Sequence, residues 1–284
     1  MWRNKGYRIR FHGKRTLNCL QNYKYKTKKI FKGDNIMRKV SILIIFFGII
    51  GAILLSSCDI ENNIVPKYSK EEECDYSYSS NNNILTINST VSDIKVIRGD
   101  TSEIKINMKK IVRGDYEEKL QESLDSIQCT FKDNVINIES ESNDHSIARS
   151  KQITTVISVP KNILLLNITS NVGDIDLKGD YDDIEINKQT GELSYEGELK
   201  QCNIYSDVGA VKLNLHRLDP SYNYKINGNV GQVTIKIPQG DSINLMGEVT
   251  KDIDIAKEIK LADNSAKFDI STKVSNVKIC STSK

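Results

Sequence analysis

Beyond residue 83, apolar and polar residues alternate with a period of two along most of the chain. The alternating apolar positions are Ile104/Ile106/Met108, Ile175/Leu177, Ile184/Ile186, Val211/Leu213/Leu215, Val233/Ile235/Ile237, Ile243/Leu245, Ile253/Ile255 and Val277/Ile279. Successive side chains of a strand point to opposite faces, so this pattern predicts short β-strands that each bury one face. The predicted fold class is therefore all-β.

One segment, at residues 115–127, has helical spacing instead. Leu120, Leu124 and Ile127 fall on one face of a helix. Asp115 and Glu118 are three positions apart, which is the spacing of a capping box at a helix N-terminus. We therefore predict one short helix near 115–127.

A seven-residue motif recurs within the alternating region. Its copies are Asn171–Leu177, Asp207–Leu213 and Asn229–Ile235, with looser copies at 90–96, 189–195, 249–255 and 273–279. The predicted turn glycines of the repeats are Gly173, Gly191, Gly209 and Gly231, separated by 18, 18 and 22 residues; Lys251 and Ser275 replace glycine in the last copies. Glycine suits a turn with positive φ. A period of about 20 residues with two short strands per unit predicts a β-solenoid of roughly 18–24-residue repeats.

An uncharged stretch at residues 40–55 follows the basic sequence Met37-Arg38-Lys39. A basic start, an apolar stretch and small residues before a cleavage point are typical of an export signal. At 16 residues, the stretch is shorter than the roughly 20 apolar residues of a membrane-spanning helix. It ends in Leu55-Ser56-Ser57-Cys58, which resembles the lipobox of bacterial lipoprotein signals. The resemblance implies a signal peptide at 37–57, a lipid on the Cys58 thiol and an anchor that holds the protein on the outside of the cell membrane.

Residues 1–36 hold eleven basic residues and one acid, Asp34, without an apolar period, so they cannot build a core. Because an export signal starts close to its basic segment, we interpret 1–36 as a mis-assigned extension. The alternative is a basic arm for nucleic acid, which is inconsistent with an export signal directly behind it. The full chain has a net charge of +3. Residues 58–284 contain 27 basic and 36 acidic residues, so their net charge is −9. Such an acidic body does not favour phosphate backbones, and we predict no nucleic-acid partner.

Residues 58–83 are polar and include Glu71-Glu72-Glu73. A segment with so few apolar residues predicts a flexible tether between the lipidated cysteine and the domain at 84–284. A first strand through Tyr76 and Tyr78 is the alternative.

A strand ending in Ile157-Ser158-Val159-Pro160 leads into the copies that contain Ser170–Ile175 and Gln189–Leu193. On these residues the chain resembles the bacterial envelope domains of uncharacterised function that are named putative adhesins. The resemblance covers roughly residues 84–280 and is best at 153–255. It implies a β-solenoid on the cell envelope, and the family supplies no catalytic residues.

Sequence motifs of catalysis are absent: the chain contains no HExxH, GxSxG, P-loop or GxGxxG pattern. Its densest acidic run is Asp174, Asp176, Asp180, Asp182 and Asp183, which we interpret as solvated turns. Calcium-binding β-rolls use glycines before the aspartate, and these are missing before Gly173. Zinc ligands are not clustered. We therefore predict no enzyme activity, no catalytic residues, no metal and no cofactor.

Four cysteines follow Cys58 in the chain, at Cys74, Cys129, Cys202 and Cys280. In an exported protein they allow two disulfides in any of three connectivities. Cys202 shares strand parity with Ile204, which favours a small buried thiol at that position.

Two tripeptides, Arg98-Gly99-Asp100 and Arg113-Gly114-Asp115, match the sequence that animal integrins recognise. We favour structural roles. Gly99 and Asp100 would form the turn of a hairpin between strands at 94–97 and 104–108, and Asp115 would cap the helix.

These patterns together predict a lipid-anchored cell-envelope protein that binds or adheres to a protein or glycan partner. One alternative is an accessory sensor or regulator of an envelope-stress system, with contacts close to the tether. A less favoured alternative is a glycan-active enzyme, in which one cluster of outward carboxylates would be essential.

Overall fold

The computed structural model describes residues 65–140, 149–249 and 252–282. Apart from Val65, these residues lie in the compact unit Pro66–Lys284. The described part is all-β, as predicted, with one eighteen-stranded sheet and one short helix, α1 (Glu117–Asp125). The extension at 1–36, the export signal, Cys58 and Lys251 lie outside the described residues.

The strands are β1 (Tyr68–Ser79), β2 (Ile84–Val91), β3 (Asp93–Gly99), β4 (Glu103–Gly114), β5 (Ile127–Lys132), β6 (Val135–Ser140), β7 (Ser150–Pro160), β8 (Leu165–Val172), β9 (Ile175–Lys178), β10 (Tyr181–Thr190), β11 (Leu193–Gly197), β12 (Leu199–Val208), β13 (Val211–Leu215), β14 (Asn223–Ile237), β15 (Ser242–Met246), β16 (Ile253–Ile255), β17 (Lys260–Leu261) and β18 (Ala266–Ser281).

A first parallel stack consists of β2, β8, β10, β12 and the N-terminal halves of β14 and β18. Equivalent residues pair directly from strand to strand, so the same side chain recurs at the same depth. The clearest example is a buried row of isoleucines: Ile87, Ile168, Ile186, Ile204, Ile226 and Ile270. β-Branched side chains pack well on a pleated surface, and this row is part of the buried core.

A second parallel stack consists of β3, β9, β11, β13 and the C-terminal halves of β14 and β18. Its buried row is Ile94, Ile175, Leu193, Val211, Val233 and Val277. In both stacks, the residues that pair come from corresponding positions of the sequence copies. One predicted core position differs, because Ile253 in the short strand β16 is 41% exposed.

The early part of the chain is antiparallel. β1 pairs with β4, β4 pairs with β7, and β5 pairs with β6. The predicted hairpin around Gly99 is therefore wrong: β3 pairs in parallel with β7, which separates it from β4.

The tether predicted at 58–83 is wrong over its second half, where the chain forms β1. Backbone pairing with β4 along twelve residues supplies the order that a polar sequence alone does not. The acids that suggested a tether are paired: Lys109 Nζ lies 2.7 Å from Glu71 Oε1. The ring of Tyr78 stacks on Phe131 of β5 with centroids 4.4 Å apart, so the alternative strand interpretation holds.

The helix is shorter than predicted and capped differently. Tyr116 occupies the N-cap position in an extended conformation without a side-chain cap, so the capping box does not form. Asp115 instead pairs with Arg149, at 2.5 Å between Oδ2 and Nε. Leu120 and Leu124 are buried as predicted, whereas Ile127 begins β5.

Candidate binding face

The outward face of the first stack carries an unbroken row of uncharged hydrogen-bonding side chains. We call this row the polar column; its members are Asn88, Thr169, Asn187, Tyr205, Asn227 and Ser271, which pair in register from β2 to β18. Neighbouring strands lie about 4.8 Å apart, so the six side chains extend over about 24 Å. Thr169, Asn187 and Tyr205 are exposed, and the others are half-buried.

Two residues along each strand from the polar column is an outward row that includes Asp207 and Lys273. One residue further lies a row made mostly of valines. This valine column consists of Val91, Val172, Thr190, Val208, Val230 and Val274, again in register. Its five valines are 37–51% exposed, whereas the isoleucine row of the same strands is buried. The first stack thus carries one polar row and one exposed apolar row, both of uncharged residues, that run across the strands.

A groove of about 370 Å³ lies beside Tyr205, at the C-terminal end of the stack. It is lined by Tyr205, Asn227, Gly228, Asn229, Glu248, Ser271, Thr272 and Lys273. The Tyr205 side chain is 42% exposed and its hydroxyl is held in place. Asn229 Nδ2 donates to Tyr205 Oη at 3.0 Å and to Asp207 Oδ1 at 2.6 Å. The tyrosine therefore presents an oriented aromatic ring to solvent.

The outward face of the second stack is different because it is strongly charged. Ion pairs cross its strands, with Lys95 Nζ 3.5 Å from Asp176 Oδ2 and Lys178 Nζ 3.3 Å from Glu196 Oε2. Lys212 Nζ lies 2.6 Å from Glu192 Oε2. A second groove of about 370 Å³ on this face is lined in part by Glu196, Lys212 and Lys236. Solvated pairs of this kind contribute little to stability.

Beneath the polar column, the inward side of the stack contains buried polar residues. Lys188 is fully buried between Ser170 and Ser206 of the neighbouring strands. Its ammonium donates to the carbonyl oxygen of Gly191. Burial lowers the pKa of Lys188, and the nearby carboxylates Asp174 and Glu192 oppose that shift only in part.

The structure places the four glycines predicted at turns, Gly173, Gly191, Gly209 and Gly231, at positive φ between the two stacks. At Gly191, φ is +127°, and a Cβ atom would overlap the carbonyl oxygen of Gly173. In the same way, a Cβ atom at Gly209 would overlap the carbonyl oxygen of Gly191, and one at Gly231 would overlap that of Gly209. The turns therefore pack directly on one another. This close approach fixes the register of the outward columns.

Cys74, Cys129, Cys202 and Cys280 are all free thiols. Cys202 is buried as predicted, and burial raises its pKa. Burial, with a smaller contribution from Cys74, raises the pKa of Cys129 to about 11. Cys74 donates to Glu72 Oε1 at 3.0 Å. Because the pKa values of Cys74, Cys129 and Cys202 are raised, their thiolate forms are disfavoured and these three thiols are poor nucleophiles.

The first integrin-like tripeptide is engaged within the protein. The Arg98 guanidinium donates to the carbonyl oxygens of Lys161 and Asp180, and it lies 5.7 Å from the centre of the Tyr181 ring. Asp100 Oδ1 lies 2.5 Å from Lys161 Nζ. In the second tripeptide, Asp115 pairs with Arg149. The contacts favour structural roles for both tripeptides.

Across residues 65–140, 149–249 and 252–282, no group of three His, Cys, Asp or Glu side chains is arranged to hold a metal ion. The helix of this part of the chain is too short and too polar to span a bilayer.

The polar column was not among the sequence predictions, although the sequence contains a signal for it. Thr169, Asn187, Tyr205 and Asn227 each stand four residues before a predicted turn glycine. The valine column stands one residue before the same glycines. Aligning the copies on their glycines reveals both columns, whereas alternation alone marks these positions only as outward.

Comparison with known proteins gave matches to solved structures alone; no family model and no curated protein matches the chain. A "putative cell adhesion protein" from Clostridium sporogenes is 17% identical with a TM-score of 0.44, over 75% of this chain and 100% of that one. A "putative adhesin" from Bacteroides fragilis is 15% identical with a TM-score of 0.34, over 74% of this chain and 97% of that one. A "putative adhesin" from Parabacteroides merdae is 9% identical with a TM-score of 0.34, over 76% of this chain and 97% of that one. Likeness at this level is not evidence of function.

Proposed function

We propose that this chain is a glycan-binding adhesion protein of a bacterial cell envelope, anchored by a lipid on Cys58. The polar column is the observation that carries the proposal. Amide and hydroxyl side chains both donate and accept hydrogen bonds, as the hydroxyl groups of a sugar do. Tyr205 adds an aromatic face, against which the apolar side of a sugar ring can pack.

The scaffold of this function is, in our proposal, a β-solenoid whose coils are the paired sequence copies. Two observations support it. Pairing residues of neighbouring strands are offset by 18 residues at Ile168, Ile186 and Ile204, and the turn glycines pack on one another. Stacked coils would hold the outward side chains in fixed rows, which suits repeated contacts with a polymer.

The test is binding of the full-length chain, purified in detergent, to an array of bacterial glycans and to purified peptidoglycan. We expect Tyr205→Ala to weaken glycan binding by about tenfold or more, as removal of a central aromatic contact does. Tyr68→Ala is a matched control, because Tyr68 is also 42% exposed but lies in β1, outside the polar column.

Two results would contradict the proposal. In one, the wild-type chain binds none of these glycans. In the other, Tyr205→Ala and Tyr68→Ala have equal effects on binding. Urea unfolding of both variants shows whether the fold is retained.

A further inference from the structure

The polar column repeats one kind of contact at a constant interval. Its six members are spaced by about 4.8 Å, and they follow a direction across the strands. A linear polysaccharide in extended form presents hydroxyl groups at a similar regular interval, so the same hydrogen bonds can recur at successive strands. A branched glycan or a folded protein surface offers no such repeat.

The charge of the face favours an uncharged ligand. The polar and valine columns contain no Asp, Glu, Lys, Arg or His. The outward rows beside the polar column contain Glu185, Lys225 and Asp269 on one side, and Asp207 and Lys273 on the other. Together these rows have more acids than bases, and the net charge of residues 58–284 is −9. A polyanion would therefore meet repulsion rather than a basic track.

The groove beside Tyr205 gives the column one position that differs from the rest. Its volume of about 370 Å³ lies near the lower end of the range for small-ligand sites, about 300–1,000 Å³. Asn229 holds the Tyr205 hydroxyl and thereby fixes the ring. This position suits one sugar ring stacked on Tyr205, while the rest of the polysaccharide lies along the other strands.

We infer that the ligand is a linear, uncharged polysaccharide that lies across the strands along the polar column, with one ring stacked on Tyr205. The inference rests on the proposed glycan-binding function and deepens it. Asn187 and Thr169 then contact the sugar rings that follow on the N-terminal side of Tyr205. Asn227 contacts the end of the polysaccharide that lies at the groove.

The experiment is calorimetric titration of the full-length chain with N-acetylglucosamine oligomers of two to eight rings. Each added ring gains about one hydrogen-bonded contact. We therefore expect Kd to fall about threefold to tenfold per ring, with a plateau near six rings. Asn187→Asp introduces a charge into the column and should abolish the length dependence. Asn276→Asp, on an exposed position of the second stack, should preserve it.

Anionic polygalacturonate oligomers and a branched mannan serve as comparison ligands. If these bind in a Tyr205-dependent manner while the neutral linear oligomers do not, the inference is overturned and the proposed function stands. If affinity for the neutral oligomers stops rising at two rings, the groove alone is the site and the alignment along the column is wrong. If no glycan of any type binds, both proposals fall.

Discussion

At the scale of single residues, Lys188 is a charged side chain in an environment that opposes its charge. An ammonium group in an apolar core loses hydration, and the Lys188 ammonium donates a hydrogen bond to the Gly191 carbonyl oxygen. The adjacent hydroxyls of Ser170 and Ser206 are buried without a hydrogen-bond partner. The residue therefore opposes stability while it fills the space behind the polar column.

This environment predicts an unusual pH dependence. Because the pKa of Lys188 is lowered in the folded chain, the unfolded chain binds more protons between that value and about 10.4, the ordinary lysine pKa. The contribution of Lys188 to the free energy of unfolding therefore increases as pH rises through this window. Urea unfolding between pH 7 and pH 10 measures it.

Lys188→Met should remove this pH-dependent contribution and should be at least as stable as wild type at pH 7. Lys236→Met is the control, since Lys236 is exposed and its substitution changes the net charge equally. Equal pH profiles for wild type and Lys188→Met would show that the buried amine does not titrate in this range.

At the scale of elements, the turns between the two stacks are the most constrained part of the fold. Gly191→Ala would place a methyl group on the Gly173 carbonyl oxygen and would strain a backbone with φ of +127°. We expect a loss of about 2 kcal/mol or more in the free energy of unfolding, measured in urea. Gly99→Ala should change it by less than about 1 kcal/mol, because a Cβ atom there meets no neighbour within 4 Å. Equal losses in the two variants would contradict the packed-turn geometry.

Strand positions could be predicted from the sequence because alternation records burial directly. Val233, Ile235 and Ile237 are buried in β14 as their spacing indicates. Pairing partners are a different matter, since alternation does not specify which strands are neighbours. The expected hairpin of β3 with β4 failed for this reason, because β7 from fifty residues further along the chain pairs with both.

Strand β1 was only the alternative prediction for its segment, and the polar column was not predicted, for a related reason. The acids of β1 read as a solvated segment, and their stabilisation comes from partners distant in sequence, such as Lys109. In the sequence alone, nothing distinguishes Tyr205 from other exposed aromatic residues. Its place in the polar column becomes visible only when β12 is paired with β10 and β14, which carry Asn187 and Asn227. Both features are produced by the pairing of strands, which no local pattern contains.

At the scale of the whole molecule, the correction at β1 brings the folded domain closer to the proposed anchor. With β1 beginning at Tyr68, residues 59–67 connect it to Cys58, in place of the longer tether that the sequence suggested. Nine residues can span at most about 30 Å when fully extended. An anchored chain would therefore bind glycan near the membrane surface.

The anchor itself is testable by intact mass spectrometry of chain purified from its native membrane. Two acyl chains hold a protein on a bilayer stably, since each buried methylene contributes about 0.8 kcal/mol. We expect a wild-type mass that starts at a diacylated or triacylated Cys58. Cys58→Ser should accumulate as an unlipidated precursor, whose mass also distinguishes a start at Met37 from a start at Met1. Cys280→Ser should be processed like wild type, because its thiol lies near the end of the described chain. An unlipidated wild-type chain would contradict the proposed lipid anchor. The proposed glycan binding would then still be tested by the binding experiments on Tyr205.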